Sequence, residues 1–392
     1  MTISPPLRFG IIGLGNMGAA HADSLLARKI PRAELAAVCD VEAERMNRFA
    51  GGQVKAFSTA EALIKSRTCN AVLIATAHYE HTTLGIAALA AGLHVMVEKP
   101  ISVHKADAER LIAAYEARPD KDQVFAAMFN QRTDPKYVKL KQLIDTGELG
   151  EIRRISWIIT DWFRSEAYYA SGGWRATWKG EGGGVLINQC PHQLDLMQWL
   201  FGLPVRVRAH VALGKWHQIE VEDQVTAYLE YANGASGVFI TTTGEAPGTN
   251  RLEVAAERGR VVIEEGKIRW TRNTVPMSEY SRTTSERFGR PDTWQVEIPT
   301  NGNGGQHVEI LQNFTNAVLD GKPLIAPAGE GIRSVELGNA MLLSGLTDKT
   351  VDLPLDGKAY EKLLKKLIAD SKAEKKTGKT VSSDDFSKSH TR

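Results

Sequence analysis

Cysteine is scarce in this chain. Cys39, Cys69 and Cys190 are the only three in 392 residues, they lie far apart, and no C-x-x-C pair occurs. A disulfide framework is excluded, and a reduced, cytoplasmic setting is the expectation. Long apolar runs are missing too. None approaches the roughly 18 residues a membrane helix needs, so no membrane partner is expected. The N-terminal MTISPPLRFGIIGLG has no charged leader before an apolar segment and no small-residue cleavage site, so it does not read as a signal peptide. Charge of one sign is lacking as well: Lys plus Arg number 48, Asp plus Glu 46, a net +2. A broad nucleic-acid footprint needs a basic excess, so no nucleic-acid partner is expected. No metal-ligand spacing such as H-E-x-x-H is present, and no metal is expected.

What is there is a long, ordinary globular chain, hydrophobic at 43% and charged at 24%, too large for one small core and suited to two domains. Apolar runs of strand length, RFGII, AELAAVCD, NAVLIATA (70–77), LHVMVEKP (93–100) and QVFAAMF (123–129), alternate with helical patterns at 82–92 and 103–117. That alternation predicts a doubly wound parallel sheet covered by helices on both faces. Near residue 130 the pattern changes. DPKYVKLKQLIDTGELG reads as a helix stopped by Gly147, and then hairpins take over. Asn233-Gly234 lies between two strand-like runs, a strong hairpin signal, and RLEVAAERGRVVIEEGKIRW adds further Gly-marked turns. Helical periodicity returns at 305–323 and 329–345. The expectation is an α/β N-terminal domain at 1–130, an α+β domain with a large, mostly antiparallel open sheet at 131–370, and a flexible Lys/Ser-rich tail at 371–392.

GLGNMG, Gly13 to Gly18, follows a strand-like run and opens a helix, the context in which G-x-G-x-x-G binds a dinucleotide. Gly13 would allow the tight turn, Gly15 the approach of a pyrophosphate, and Gly18 close packing of helix on strand. Asn16 and Met17 would stand at the helix N-terminus that faces the phosphates. Asp40 ends the next strand, where a carboxylate accepts from the adenosine ribose hydroxyls and repels a 2′-phosphate, favouring NAD over NADP.

The fingerprint, the EKP at 98–100 and GGGVLINQCPHQLDLMQWLFG together resemble the glucose–fructose oxidoreductase / inositol dehydrogenase family, often called Gfo/Idh/MocA. The resemblance runs from about residue 7 to about residue 355 and takes in TAHYEHTTLGIAALAAGLHVMVEKPIS, FNQRTDPKY, GELGEIRRI and GEGIRSVELGNAMLLS. It implies an N-terminal Rossmann domain that binds NAD, a cis Lys99–Pro100 bond, redox chemistry on sugars and cyclitols, and a homo-oligomer, dimer or tetramer, built through the C-terminal sheet.

Oxidising a secondary alcohol requires a hydride acceptor, a base for the hydroxyl proton, and a group that steadies the oxygen. Lys99 suits the last task. His192 suits the second, since imidazole titrates near working pH. Asn188, His192 and Asp195 would share one helical face at i, i+4 and i+7. Many relatives carry Asp where Asn188 stands, and Asn can only hydrogen-bond. Two readings of Asn188 stand: it holds a substrate hydroxyl, or it caps a helix that has Pro191 in its first turn. Gln189 would reach the substrate or the nicotinamide side, and Cys190 would be a packed thiol. Glu98 would sit near the nicotinamide ribose, and Thr76 and His81 would line the cofactor site. In TDWFRSEAYYASGGWRATWKGEGGG, Arg164, Tyr168, Trp174 and Arg175 suit sugar faces, hydroxyls or phosphate. The resemblance alternatively gives Trp174 and Arg175 to the cofactor. Asn130 and Arg132 are placed near the same cleft. The expected function is NAD-dependent oxidation of a secondary hydroxyl of a sugar, glycoside or cyclitol. The alternatives are a redox-neutral glycoside-cleaving enzyme with tightly held NAD, and a non-catalytic NAD or sugar sensor.

Overall fold

A computed structural model describes residues 5–371. Beyond Ser371, the tail expected at 371–392 lies outside the described residues. The N-terminal part runs β1 (Leu7–Ile12), α1 (Asn16–Leu26), β2 (Ala33–Cys39), α2 (Ala43–Asn47), β3 (Lys55–Phe57), α3 (Ala60–Lys65), β4 (Ala71–Ile74), α4 (His78–Ala90), β5 (His94–Val97), α5 (Lys105–Glu116) and β6 (Phe125–Ala127). All pairings in this sheet are parallel, in the order β3-β2-β1-β4-β5-β6. The central strands read AVLI and HVMV because helices cover both faces, leaving almost no position to solvent. The strand order reverses between β1 and β4. A crevice at the carboxyl ends of the strands follows from that reversal, and four sequence motifs follow those ends: the glycine loop after β1, Asp40 after β2, Thr76 after β4 and EKP after β5.

A short 3₁₀ turn at Asn130–Thr133 leads into α6 (Pro135–Asp145), which is capped by Asp134 and ends before Gly147 at φ +73°. Then come β7 (Ile152–Ile159), α7 (Glu166–Tyr169), α8 (Pro191–Phe201), β8 (Arg206–Leu213), β9 (Glu222–Glu230), β10 (Ser236–Thr242), β11 (Asn250–Ala256), β12 (Gly259–Glu264), β13 (Lys267–Asn273), α9 (Met277–Thr283), β14 (Thr293–Ile298), α10 (Gln306–Asp320), α11 (Ala328–Thr347), β15 (Val351–Asp352) and α12 (Gly357–Asp370). The nine strands form one sheet, β14-β13-β12-β11-β7-β10-β9-β8-β15, antiparallel throughout except for β10 against β7. The β9–β10 hairpin turns at Asn233-Gly234 as its dipeptide predicts. Period-two alternation puts Ile155, Trp157, Phe239, Leu252 and Val254 on one buried face, which shares a core with Leu194 and Met197 of α8 and Leu337 and Met341 of α11. The opposite face carries exposed pairs such as Arg154 with Glu253.

The chain does not keep to one core after β6. Ile310, Leu311 and Phe314 of α10 join the first core, with Phe314 and Phe9 ring centroids 5.8 Å apart. Ala127 N–H bonds to Ala326 O at 3.0 Å just before α11. Among the described residues no helix is long and apolar enough to cross a membrane.

Candidate active site

The glycine loop is built for close approach. Gly13 adopts φ +92°, and a Cβ on Gly18 would lie 1.8 Å from Gly13 O, so α1 can start this near β1 only without a side chain there. Above Gly15 a Cβ would meet nothing within 4 Å, which leaves an open surface where Asn16 and Met17 begin the helix. Asp40 is buried at the end of β2. Its Oδ2 accepts from Leu14 N–H at 2.6 Å, its Oδ1 from Glu42 N–H at 2.9 Å, and an Arg45 nitrogen stands 3.7 Å away.

The EKP turn is braced from three sides. Glu98 Oε1 pairs with His21 Nε2 at 2.7 Å and Oε2 accepts the Lys99 N–H at 3.1 Å. Burial alone would push the Glu98 carboxyl up. The hydrogen bond and charge of His21, with His307 and Lys99 nearby, hold it down at about 2. The Lys99–Pro100 bond is cis. His81 corrects an expectation: its Nδ1 lies 2.8 Å from Pro100 O and its Nε2 3.1 Å from Thr76 O, so both ring nitrogens face loops of the protein, and the buried, neutral ring donates its one N–H to one of the two carbonyls. It locks EKP to the Thr76 turn and presents no ring nitrogen to a cofactor. Thr76 keeps its half-exposed place after β4, its hydroxyl directed to Ala77 O.

Lys99 crosses the crevice and donates from Nζ to Asn188 O at 2.9 Å. Burial lowers its affinity for a proton; Glu98 and Glu181 act the other way, and Arg164 and Arg175 add to the lowering. The receiving segment is held by β9. Glu222 takes the N–H groups of Gly184 and Leu186 on its carboxylate, at 2.8 and 3.0 Å, and Val185 N–H on its carbonyl, at 3.0 Å. A Cβ on Gly184 would lie 2.0 Å from that carbonyl. The glycine run therefore serves docking onto β9.

The cap reading of Asn188 does not hold. Helix α8 starts at Pro191, its N-cap is Cys190, and no side chain caps it. Pro191 takes the first helical position, where its missing N–H leaves no helical bond unmade. Asn188 precedes the helix in a tight turn, with its N–H on Gly184 O at 2.9 Å. So Asn188, His192 and Asp195 do not share one helical face. Asn188 donates Nδ2 to Glu181 Oε1 and accepts from Gln189 Nε2 at 3.3 Å. His192 is half-buried in the first turn of α8, edge-on to Phe129 with centroids 6.3 Å apart. Asp195 is spent elsewhere: Arg132 Nε and Nη2 grip it at 2.8 and 2.7 Å, both side chains buried. Arg132 also reaches Glu330 and Ile325 O, so it ties α8 to the end of β6 and to α11 and is withdrawn from the cleft.

The aromatic segment folds over this turn. Arg175 lies between Tyr168 and Trp174, its guanidinium carbon 4.4 and 4.5 Å from the two ring centroids, and donates to Tyr168 Oη at 2.7 Å. Gln189 Nε2 reaches the same oxygen at 3.2 Å. Arg164 stacks on Trp162 and Tyr168. Trp174 is exposed, with its ring edge toward His78 at 6.5 Å. Asn130 is buried and donates Nδ2 to Gln306 Oε1 at 2.6 Å, which turns that arm of its amide into α10.

Two family models match in tandem, an oxidoreductase family NAD-binding Rossmann fold over residues 7–125 and a GFO/IDH/MocA C-terminal domain over residues 137–262. The chain belongs to the Gfo/Idh/MocA oxidoreductase family. It is similar to the inositol 2-dehydrogenase of Leifsonia xyli subsp. xyli, 30% identical over 76% of this chain and 85% of that one. The levoglucosan dehydrogenase of Pseudarthrobacter phenanthrenivorans is 25% identical over 89% of this chain and 98% of its own. Among solved structures, the WlbA dehydrogenase of Bordetella pertussis in complex with NADH and UDP-GlcNAcA superposes with a TM-score of 0.75 at 25% identity, covering 90% of this chain and all of that one.

The cofactor of this Gfo/Idh/MocA chain is NAD. The local structure fits it: the space over Gly15 is free, α1 presents its first N–H groups there, and Asp40 shapes the loop from below. The residues that come together are Lys99, Asn188, Gln189, Tyr168 and Arg175. His81, Arg132 and Asp195 do not join them. Sequence reasoning missed Glu181, a buried carboxylate against Asn188, and His21, the partner of Glu98. The one signal for Glu181 was a lone acid inside a glycine run, KGEGGG. It also missed His78, buried next to the site and held near 3 by burial first, then by His81 and Lys99.

Proposed function

We propose that the protein is an NAD-dependent dehydrogenase that oxidises a secondary hydroxyl of a sugar, glycoside or cyclitol. The observation that carries this reading is the Lys99 ammonium spanning the crevice to the Asn188 turn, which leads into α8 with His192 in its first helical turn. The inositol, levoglucosan and UDP-GlcNAcA chemistry of the relatives supports the substrate class.

NAD, when bound at the glycine loop, supplies the hydride acceptor. The protein does the rest. Lys99 donates to the substrate oxygen and steadies its developing negative charge in a site shielded from water. His192 takes the hydroxyl proton. Asn188 accepts from a neighbouring hydroxyl and fixes which carbon faces the nicotinamide side. Tyr168, Trp174 and Arg175 offer ring faces and N–H groups to the remainder of the sugar. Asp40 at the ribose position favours NAD over NADP. The same reading assigns 1–130 to the cofactor and 131–370 to substrate and self-association through the exposed sheet face, in a cytoplasmic protein.

The test is NAD reduction by the purified protein across a panel of sugars, glycosides and cyclitols. Lys99→Ala and His192→Ala each lower kcat at least 100-fold, and Asp40→Ala raises the relative use of NADP. Intact turnover in both single variants refutes the mechanism. Substrate consumed without NADH release points to the redox-neutral alternative.

A further inference from the structure

No carboxylate is encoded at position 188, yet the folded site holds one beside it. Glu181 is buried in the loop ahead of α8. Its Oε1 accepts from Asn188 Nδ2, and its Oε2 accepts the Ala176 N–H at 2.6 Å. A carboxylate offers only acceptors, and a carboxamide has one donor arm and one acceptor arm. The contact therefore decides which way Asn188 points: nitrogen to Glu181, Oδ1 to Gln189.

We propose that Glu181 is the positioning carboxylate of this site: it holds the Asn188 amide with Oδ1 presented to a substrate hydroxyl, and it stands with Glu98 as counter-charge to the Lys99 ammonium. The first half rests on the dehydrogenase reading; the second does not depend on turnover. Lys99 Nζ and Glu181 Oε1 meet on one residue, the first donating to Asn188 O at 2.9 Å and the second accepting from Asn188 Nδ2; the charges of Glu98 and Glu181 favour the ammonium, and those of Arg164 and Arg175 oppose it. Burial opposes the Glu181 charge, and Arg175, the Ala176 N–H, Asn188 and Lys99 favour it, while that charge in turn raises Glu222 and Tyr169. Burial disfavours the charged form of both groups, raising Glu181 and lowering Lys99, and each offsets part of that cost for the other. Without Glu181, Lys99 keeps Glu98 alone against burial and two arginines.

The experiment measures Lys99 reactivity against pH in the full-length protein, by acetic anhydride labelling read by mass spectrometry. NADH affinity, followed by fluorescence, serves as the check of fold. Glu181→Gln moves the Lys99 midpoint down by about 1 unit, the lower end for loss of a nearby opposite charge. Glu181→Asp keeps the wild-type midpoint. The exchange variant Glu181→Gln/Asn188→Asp, which retains one carboxylate and one amide across the same contact, also keeps it. An unchanged midpoint in Glu181→Gln with NADH binding intact overturns the proposal. If Glu181→Gln does not fold, the exchange variant decides, and a lowered midpoint there overturns it. Where the wild type reduces NAD with a sugar, Glu181→Gln also loses at least tenfold in kcat/KM; an unchanged kcat/KM with NADH binding intact overturns the substrate half. A wild type that turns over nothing refutes the dehydrogenase reading and leaves the labelling result to judge Glu181.

Discussion

Replacing Arg132 by methionine removes the cation from a fully buried pair. The guanidinium grips Asp195 with two hydrogen bonds at 2.8 and 2.7 Å and reaches Ile325 O at 3.1 Å, with both charged side chains 1% exposed. Methionine fills most of the volume but leaves the carboxylate with one donor, Gln198 Nε2 at 2.9 Å. Breaking a buried pair from one side costs about 3–5 kcal/mol. The Gln198 donor puts this case near the lower end, at about 3 kcal/mol. Burial pushes the Asp195 carboxyl up, and Arg132 is the largest influence pulling it back. In the variant Asp195 therefore takes up a proton more readily folded than unfolded. Stability then falls as pH rises, because the folded state binds more protons, so the deficit relative to wild type is larger at neutral pH than in acid. Urea titrations of wild type, Arg132→Met and Arg132→Met/Asp195→Leu at two pH values measure this. The double variant recovers most of the loss, since an apolar pair needs no solvation. A loss below about 1 kcal/mol in the single variant at neutral pH, or a deficit that does not shrink on acidification, would refute the reasoning.

Two other outcomes are expected. Gly18→Ala should weaken NADH binding at least tenfold in a fluorescence titration, because its Cβ would lie 1.8 Å from Gly13 O. Alanine is the better helix former by about 1 kcal/mol, so an alanine variant that binds NADH normally would show that the loop yields. Burial raises the Glu222 carboxyl to about 7, against the hydrogen bonds from Leu186 and Gly184. A carboxyl with a raised folded pKa stabilises below its unfolded value and loses that contribution as pH rises through the folded one, here on the order of 3 kcal/mol between pH 4.5 and 7. Glu222→Gln should remove that slope from the pH dependence of the urea midpoint; an unchanged slope would locate it in other groups.

The cofactor half was legible because its signals are local. Gly13, Gly15 and Gly18 are required by backbone geometry within one turn, and Asp40 follows a strand whose apolar run ends at Cys39. Periodicity likewise identified α10 and α11 as helices. It did not show that the apolar stripe of α10 covers the first core, because a stripe specifies a face and not its partner. The half of the site in the second domain was read less well for the same reason. Spacing put Asn188, His192 and Asp195 on one helix, but Pro191 starts that helix, and the glycines ahead of it bend to meet Glu222.

By itself, then, the sequence determined the strand–turn–helix fingerprint, the change from parallel to antiparallel sheet and the identity of Lys99 and His192 as candidates. Tertiary structure alone decided the pairings: Arg132 with Asp195, His21 with Glu98, His81 with two carbonyls, and Glu181 with Asn188. Turn chemistry and periodicity act between residues a few positions apart, where the chain itself sets the distance. Arg132 with Asp195 and His21 with Glu98 join positions 63 and 77 residues apart, where only the folded chain sets which charge meets which; His81 with Thr76 and Glu181 with Asn188 are close in sequence but meet only because a folded loop brings them back together.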